Sequence, residues 1–339
     1  VLDTDVLFAW LRGRIEGLRT PLRAERLSGG QSNPTFMLTD GSGQRYVLRK
    51  KPEGELLPSA HAVDREYRVM KALEHTDVPV ARVLCLCDEL AIIGTPFYVM
   101  EFIEGRIFWD PALPELDIAQ RRAVYQDMNR VVAALHRVDP QAVGLADYGR
   151  SSGFFARQIS RWTNQYRASE TESIPAMDHL IEWLPAHMPA HDESRIFHGD
   201  LRLDNMIFHP TQPRILAVLD WELSTLGHPM ADFAYHALPW RLTSEEFRGM
   251  AEKDIASLGI PSEQEYLRDY CAATSRQVDP VEYEFCVIYS MFRLAAILQG
   301  ILRRAIDGTA ANTTAEATGR KALVIADAAW RQVTAHASR

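Results

Sequence analysis

RIFHGDLRLDNMIFHPTQPRILAVLDWE, residues 195–222, is the stretch around which the rest of the chain is organised. Two short apolar runs, Arg195–Phe197 and Ile215–Leu219, have the composition of strands, and Met206–His209 forms a third run between them. The first strand ends on His198-Gly199-Asp200 and the last on Asp220, with Asn205 in between. Two carboxylates and an amide at strand ends offer hard oxygen ligands. Mg²⁺ uses few such ligands and takes its remaining oxygens from water and phosphate.

The five-residue interval from Asp200 to Asn205 equals that between the base Asp and the metal Asn of the signature H-R-D-L-x-x-x-N. This spacing leads to the expectation of an ATP- and Mg²⁺-dependent phosphotransferase. Asp200 would be its catalytic base, and Asn205 and Asp220 its metal ligands.

The segment before this stretch reads as a small sheet with one helix. Ser28-Gly29-Gly30-Gln31-Ser32-Asn33 is a Gly-rich turn between a strand ending near Leu27 and another over Phe36–Thr39. Glycines allow backbone N–H groups to approach phosphate oxygens, and Ser32 and Asn33 add donors. By itself the turn is equally compatible with a plain hairpin. On the next strand, Tyr46–Lys50, alternation places Val47 and Arg49 on one face and Tyr46, Leu48 and Lys50 on the other. Arg49 and Lys50 are the two candidates for a phosphate-binding cation. A helix over Ala60–Leu73 follows, and Glu66 lies beside its apolar stripe, where a kinase-type strand cation finds its acidic partner. Strands over Val83–Cys87 and Phe97–Phe102 complete the sheet. Gly105 then marks a hinge, with backbone groups near Glu101 and Ile103 as the adenine contacts.

The remainder reads mainly as helices, over Ile118–His136, Phe154–Tyr166, Ile174–Met188, Ser244–Leu258, Ser262–Thr274, Pro280–Ile306 and Thr314–Ala335. The expected division is a nucleotide-binding lobe over residues 1–103 and a catalytic, acceptor-binding lobe over residues 104–339.

Composition restricts the partners. A hydrophobic fraction of 47% with 24% charged residues is that of an ordinary globular protein, and a net charge of −8 disfavours a nucleic-acid partner. Four cysteines in 339 residues make no disulfide framework, which suits a reducing, cytoplasmic setting. Cys85 and Cys87 alternate on a strand and read as packing. Pro189 separates His187 from His191 and breaks the helix on which they could share a metal. The apolar run Cys286–Leu302 carries Arg293 near its middle and reads as a buried core helix rather than a membrane span. Composition does not define an oligomeric state.

Taken together, GGQSNPTF, VLRKKP, LLPSAHAVDREYRVM, IGTPFYVMEF, FHGDLRLDN and VLDWELSTLGHPMADFAY resemble the aminoglycoside phosphotransferase (choline kinase-like) family. The likeness covers nearly the whole chain and is strongest to the branch also found fused to acyl-CoA dehydrogenases. It implies an α+β, bilobal protein-kinase-like fold. The small lobe would hold an antiparallel sheet plus a helix, and the larger lobe would be mainly helical. Carried over by position, it implies Asp200 as base and Asn205 and Asp220 as Mg²⁺ ligands. It also implies Arg49 with Glu66 as the cation–acid pair and residues 29–33 as the phosphate-covering loop. Asp232 and His198 would be architectural.

Asp220 is followed by Trp221-Glu222 rather than Phe-Gly, and no activation segment follows, which disfavours a protein substrate. The resemblance points to a small-molecule acceptor bearing a hydroxyl, such as a hydroxyacyl-CoA. The competing readings are a catalytically silent nucleotide-binding module, motivated by Arg where most kinases carry Lys, and an aminoglycoside-inactivating enzyme.

Overall fold

The computed structural model describes residues 2–27, 33–52, 62–309 and 313–337. In chain order it begins with α1 (Thr4–Leu11), β1 (Arg23–Arg26), β2 (Thr35–Thr39), β3 (Arg45–Lys50), α2 (Val63–Leu73), β4 (Val83–Cys87), α3 (Leu90–Ile93) and β5 (Phe97–Glu101). There follow α4 (Ile118–Arg137), α5 (Phe154–Ser169), α6 (Pro175–Ala186) and the short strands β6 (Arg195–Phe197), β7 (Met206–Phe208), β8 (Ile215–Val218) and β9 (Thr225–Gly227). The chain closes with α7 (Pro229–His236), α8 (Ser244–Phe247), α9 (Glu263–Thr274), α10 (Pro280–Ile306), α11 (Ala315–Gly319) and α12 (Lys321–Ala337).

These elements form two compact units, one of Val1–Ile107 with Asn205–Ser224 and the other of Phe108–Asp204 with Thr225–Arg339. Against a division at 103/104, the β7–β8 hairpin lies with the N-terminal segment. Backbone bonds explain this: Arg106 and Phe208 exchange N–H···O contacts of 2.8 Å, and Val218 N–H donates to the Pro79 carbonyl at 2.9 Å.

The first unit is built on an antiparallel sheet of order β1-β2-β3-β5-β4. Alternation along β3 sends Tyr46 and Leu48 into a core with Leu7, Leu11, Leu38, Phe97 and Val99. Cys85 and Cys87 belong to the same core, and burial pushes the Cys85 thiol up to about 12, so both act as packing. Arg49 emerges on the opposite face, in register with Thr35 on one side and Tyr98 on the other.

The second unit is mainly helical. Its centre is α10, which begins at an Asp279 cap with Pro280 in the first turn, as helix starts prefer. By length and composition α10 could cross a membrane, yet 89% of its most apolar window is buried within the protein. It packs against α5, α7, α11 and α12 and is a core helix.

Two expected helices are interrupted. Over Ser244–Leu258 only α8 forms. Arg248 turns left-handed with φ 46°, and a Cβ on Gly249 would sit 1.7 Å from the Leu242 carbonyl oxygen. The C-terminal helix divides into α11 and α12 around Arg320, because Gly319 lies against the α10 backbone. A Cβ there would be 2.5 Å from the Leu302 nitrogen.

The loop after β6 is held by a buried carboxylate. Asp232, in the first turn of α7 and fully buried, accepts the His198 N–H at 2.7 Å and the Gly199 N–H at 3.0 Å. His136 Nε2 lies 3.3 Å from the same carboxylate, and its Nδ1 lies 2.7 Å from the Tyr270 hydroxyl. An ionised carboxylate only accepts, so the proton sits on Nε2 and Tyr270 donates to Nδ1. Burial would raise the Asp232 carboxyl, but the hydrogen bond from His136 and the backbone donors outweigh it and hold the group low. Asp232→Ala would leave two buried N–H groups without an acceptor, at about 1–3 kcal/mol each. Chemical denaturation at neutral pH should therefore show a loss of about 2–6 kcal/mol. A carboxyl lowered on folding stabilises above its unfolded pKa, so the wild-type advantage should shrink as pH falls through the folded value, below the ordinary carboxylate range.

Candidate active site

The first unit concentrates charge around Arg49. Glu66 sits on the buried face of α2, 1% exposed, and its carboxylate gathers three partners. Arg49 Nε lies 2.9 Å from Oε2, the Tyr98 hydroxyl donates to Oε2 at 3.0 Å, and Asn33 Nδ2 donates to Oε1 at 2.6 Å. The other end of the guanidinium faces the turn after β8, with Nη2 donating to Asp220 Oδ1 at 2.8 Å and lying 3.5 Å from Glu222. Burial alone would lower the Arg49 pKa. The charges of Glu66, Asp220 and Glu222 outweigh it, and the group stays cationic. Arg49, rather than Lys50, is thus the cation joined to Glu66. The side-chain amide of Asn33 is directed to that acid, while Gly29, Gly30 and Ser32 lie outside the described residues.

Asp220 has φ 64° and ψ 62°, the left-handed region that non-glycine residues rarely occupy. Such positions cost of order 1–3 kcal/mol and cluster at functional sites. The turn is held by Trp221, whose indole N–H donates to the Val218 carbonyl at 3.0 Å, and by Ser224 Oγ, which donates to the Trp221 carbonyl at 2.5 Å. Across the β7–β8 hairpin, Leu219 N–H donates to the Asn205 carbonyl at 2.8 Å, so Asn205 and Asp220 occupy the same end of it. A carboxylate and an amide at one hairpin end suit a hard ion that completes its shell with water and phosphate. Among the described residues no group of three or more His, Cys, Asp or Glu is arranged to hold a metal. Farther along the chain, Glu101 commits its N–H to the Arg82 carbonyl at 2.9 Å, and its carboxylate accepts from Arg82 N–H. Ile103 lies past the end of β5.

In the second unit, the Asp200 carboxylate is clamped. Arg202 approaches it with Nε 2.9 Å from Oδ1 and Nη2 donating to Oδ2 at 3.1 Å, and the Tyr235 hydroxyl donates to Oδ1 at 3.0 Å. Its own N–H donates to His198 Nδ1 at 3.1 Å. Burial would raise this carboxyl, yet the charges of Arg202 and Arg293 and the Tyr235 bond keep it below the usual range, and ionised at neutral pH.

A cavity opens beside the clamp, lined by Arg202 and Tyr235 together with Trp109, Tyr125, Met128 and Trp240. Its charged lining is Arg202 and Arg248 against Asp204, which accepts from Arg248 Nη1 at 2.7 Å. Sequence reasoning missed Arg202, Tyr235, Tyr98 and Glu222. Arg202 was within reach, two residues after Asp200 in the opening stretch. Tyr235 comes from a helix 35 positions away, and no spacing rule joins it to Asp200.

The model of the phosphotransferase enzyme family matches residues 23–271. The crystal structure of a Ralstonia eutropha protein assigned by name to the aminoglycoside phosphotransferases is 51% identical, with a TM-score of 0.90 over 98% of this chain and 99% of that one. An aminoglycoside phosphotransferase in ternary complex with AMP-PNP and hygromycin B shares the fold at 17% identity, with a TM-score of 0.62 over 97% of each chain. Among curated proteins, acyl-CoA dehydrogenase family member 10 of Mus musculus is 46% identical over 97% of this chain, which spans 31% of that protein. A probable acyl-CoA dehydrogenase of Arabidopsis thaliana is 42% identical over 96% of this chain, which spans 42% of it. The chain thus spans about a third to two fifths of these curated relatives. It belongs to the phosphotransferase enzyme family, whose members are small-molecule phosphotransferases acting on hydroxyl groups, and it has their α+β kinase-like fold.

Proposed function

We propose that this chain transfers the terminal phosphoryl group of Mg·ATP to a hydroxyl of a small hydroxylated acyl compound, of the hydroxyacyl-CoA kind. The observation that carries the reading is the Arg49 guanidinium held between Glu66 and Asp220. A permanently charged group fixed in this way suits the phosphates of a nucleotide. Asn205 and Asp220 would hold Mg²⁺, which when bound neutralises charge on the phosphate oxygens. Residues 29–33 would cover those phosphates, and the backbone near Ile103 would meet the adenine.

Asp200, ionised at neutral pH, would orient the acceptor hydroxyl and accept its proton. The acceptor oxygen forms its bond to phosphorus as the bond from that phosphorus to the ADP oxygen breaks. Phosphoryl transfer proceeds through a loose transition state, so positioning and charge stabilisation supply most of the catalysis. Arg202 and Tyr235 serve this by fixing the rotamer of the base.

The cavity beside the clamp supports this acceptor class. Its walls are aromatic and aliphatic, and its charged lining is cationic on balance, which suits an acyl chain and opposes a polycationic aminoglycoside. The kinship with acyl-CoA dehydrogenase family members supports the same choice. The silent-module reading rests on Arg at position 49, and the ion pair of that arginine with Glu66 favours the catalytic reading.

The test is ADP formation, and acceptor phosphorylation followed by mass spectrometry, with Mg·ATP and a panel of hydroxyacyl-CoAs. Asp200→Asn should lower turnover by about 10²–10⁴-fold, the usual worth of a positioned base, while Mg·ATP binding is retained. Wild-type turnover in this variant, or a wild-type protein that phosphorylates no hydroxyacyl-CoA, would contradict the proposal.

A further inference from the structure

Trp162 on α5 carries two guanidinium groups. Arg161 Cζ lies 5.1 Å and Arg293 Cζ 5.3 Å from its ring centroid, both within cation–π range. Arg293 comes from α10, is 3% exposed, and also lies 4.9 Å over the ring of Tyr235, the residue that donates to Asp200. Its Nη2 donates to the Gly199 carbonyl in the loop that carries Asp200. This bond explains one nitrogen of the fork. Nη1 is buried and has no hydrogen-bond partner, and the hydroxyl of Tyr289, 1% exposed and one helical turn earlier on α10, faces the Trp162 indole and finds no acceptor for its own proton.

Among the described residues no carboxylate forms an ion pair with either Arg161 or Arg293. Partial desolvation by its neighbours and the nearby charge of Arg293 lower the Arg161 pKa, so two like charges are crowded together without a counter-ion between them. Asp200 is the carboxylate that senses Arg293, and Arg202 and Tyr235 already clamp it. Arg161 itself is exposed to solvent, so the buried donors have an approachable cation at their margin.

A role confined to bracing the loop needs only Nη2. It leaves a buried guanidinium nitrogen and a buried hydroxyl, two groups whose isolation is unfavourable, unaccounted for. An oxyanion would satisfy both, because the arginine fork matches carboxylate and phosphate geometry.

We propose that Arg161, Arg293 and Tyr289 form a subsite for an anionic group, carboxylate or phosphate, carried by the acceptor whose hydroxyl meets Asp200. The inference rests on the phosphotransferase reading above and adds a charge requirement to its acceptor.

The experiment is calorimetric titration of the full chain saturated with Mg·AMP-PNP, so that nucleotide phosphate contacts are already filled. The probes are 3-hydroxybutyrate and glycerol 3-phosphate, each against its neutral counterpart, methyl 3-hydroxybutyrate and glycerol. At least one anion should bind tenfold or more tightly than its neutral partner, and the anion that does so distinguishes carboxylate from phosphate. Arg161→Met should abolish the preference and Arg161→Lys should retain most of it. As a surface substitution, Arg161→Met avoids disturbing the core around Arg293. No preference in the wild type, or an undiminished one in Arg161→Met, would overturn the subsite. If Mg·AMP-PNP itself fails to bind, the phosphotransferase reading is what fails, and the same titrations on the protein alone still decide the subsite.

Discussion

The guanidinium of Arg49 ties together three parts of the first unit that are distant in sequence. It comes from β3, pairs with Glu66 on α2, and reaches Asp220 at the end of the β7–β8 hairpin, 171 positions away. A buried ion pair is weak evidence of stability, because desolvating both charges offsets their attraction. Its value is geometric. Glu66 accepts from Tyr98 and Asn33 as well, so the acid cannot turn, and the arginine can extend only toward the hairpin. The left-handed backbone at Asp220 fits this picture, since strain of that kind persists only where surrounding contacts over-determine the conformation.

The second unit solves a related problem with different chemistry. Two aspartates lie in or against the loop after β6, and their surroundings separate their tasks. Asp232 is fully buried and spends its oxygens on backbone N–H groups and His136, which makes it a structural acceptor. Asp200 is also kept ionised, but by side chains that border a cavity, Arg202 and Tyr235. The same residue type thus braces the loop in one case and is itself clamped by cavity-lining side chains in the other.

Much of this was legible in the sequence, for local reasons. The strand–loop–strand spacing from Arg195 to Glu222 is short and bounded by apolar runs, so Asp200, Asn205 and Asp220 stood out together. Alternation on β3 and the apolar stripe of α2 brought Arg49 and Glu66 to facing surfaces, although alternation alone left Lys50 open. The apolar run Cys286–Leu302 marked the burial of α10. What escaped depends on contacts between distant segments. The Tyr235–Asp200 bond joins α7 to the loop, and the His136–Tyr270 contact joins α4 to α9; neither has a spacing signature. The helix over Ser244–Leu258 failed for a tertiary reason, since the chain packs back on Leu242 at Gly249 and helical propensity cannot register that approach.

Thermal unfolding with and without Mg·ATP, on the wild type and on Asp220→Ala, tests the Arg49–Asp220 site most directly. A ligand at a hundred times its dissociation constant stabilises a fold by about 2.7 kcal/mol. The wild type should show an upward shift that requires both the metal and the nucleotide, and Asp220→Ala should lose it. An equal shift in both proteins, or no shift in the wild type over a wide range of ATP and GTP, would contradict the assignment of this site to a metal-bound nucleotide.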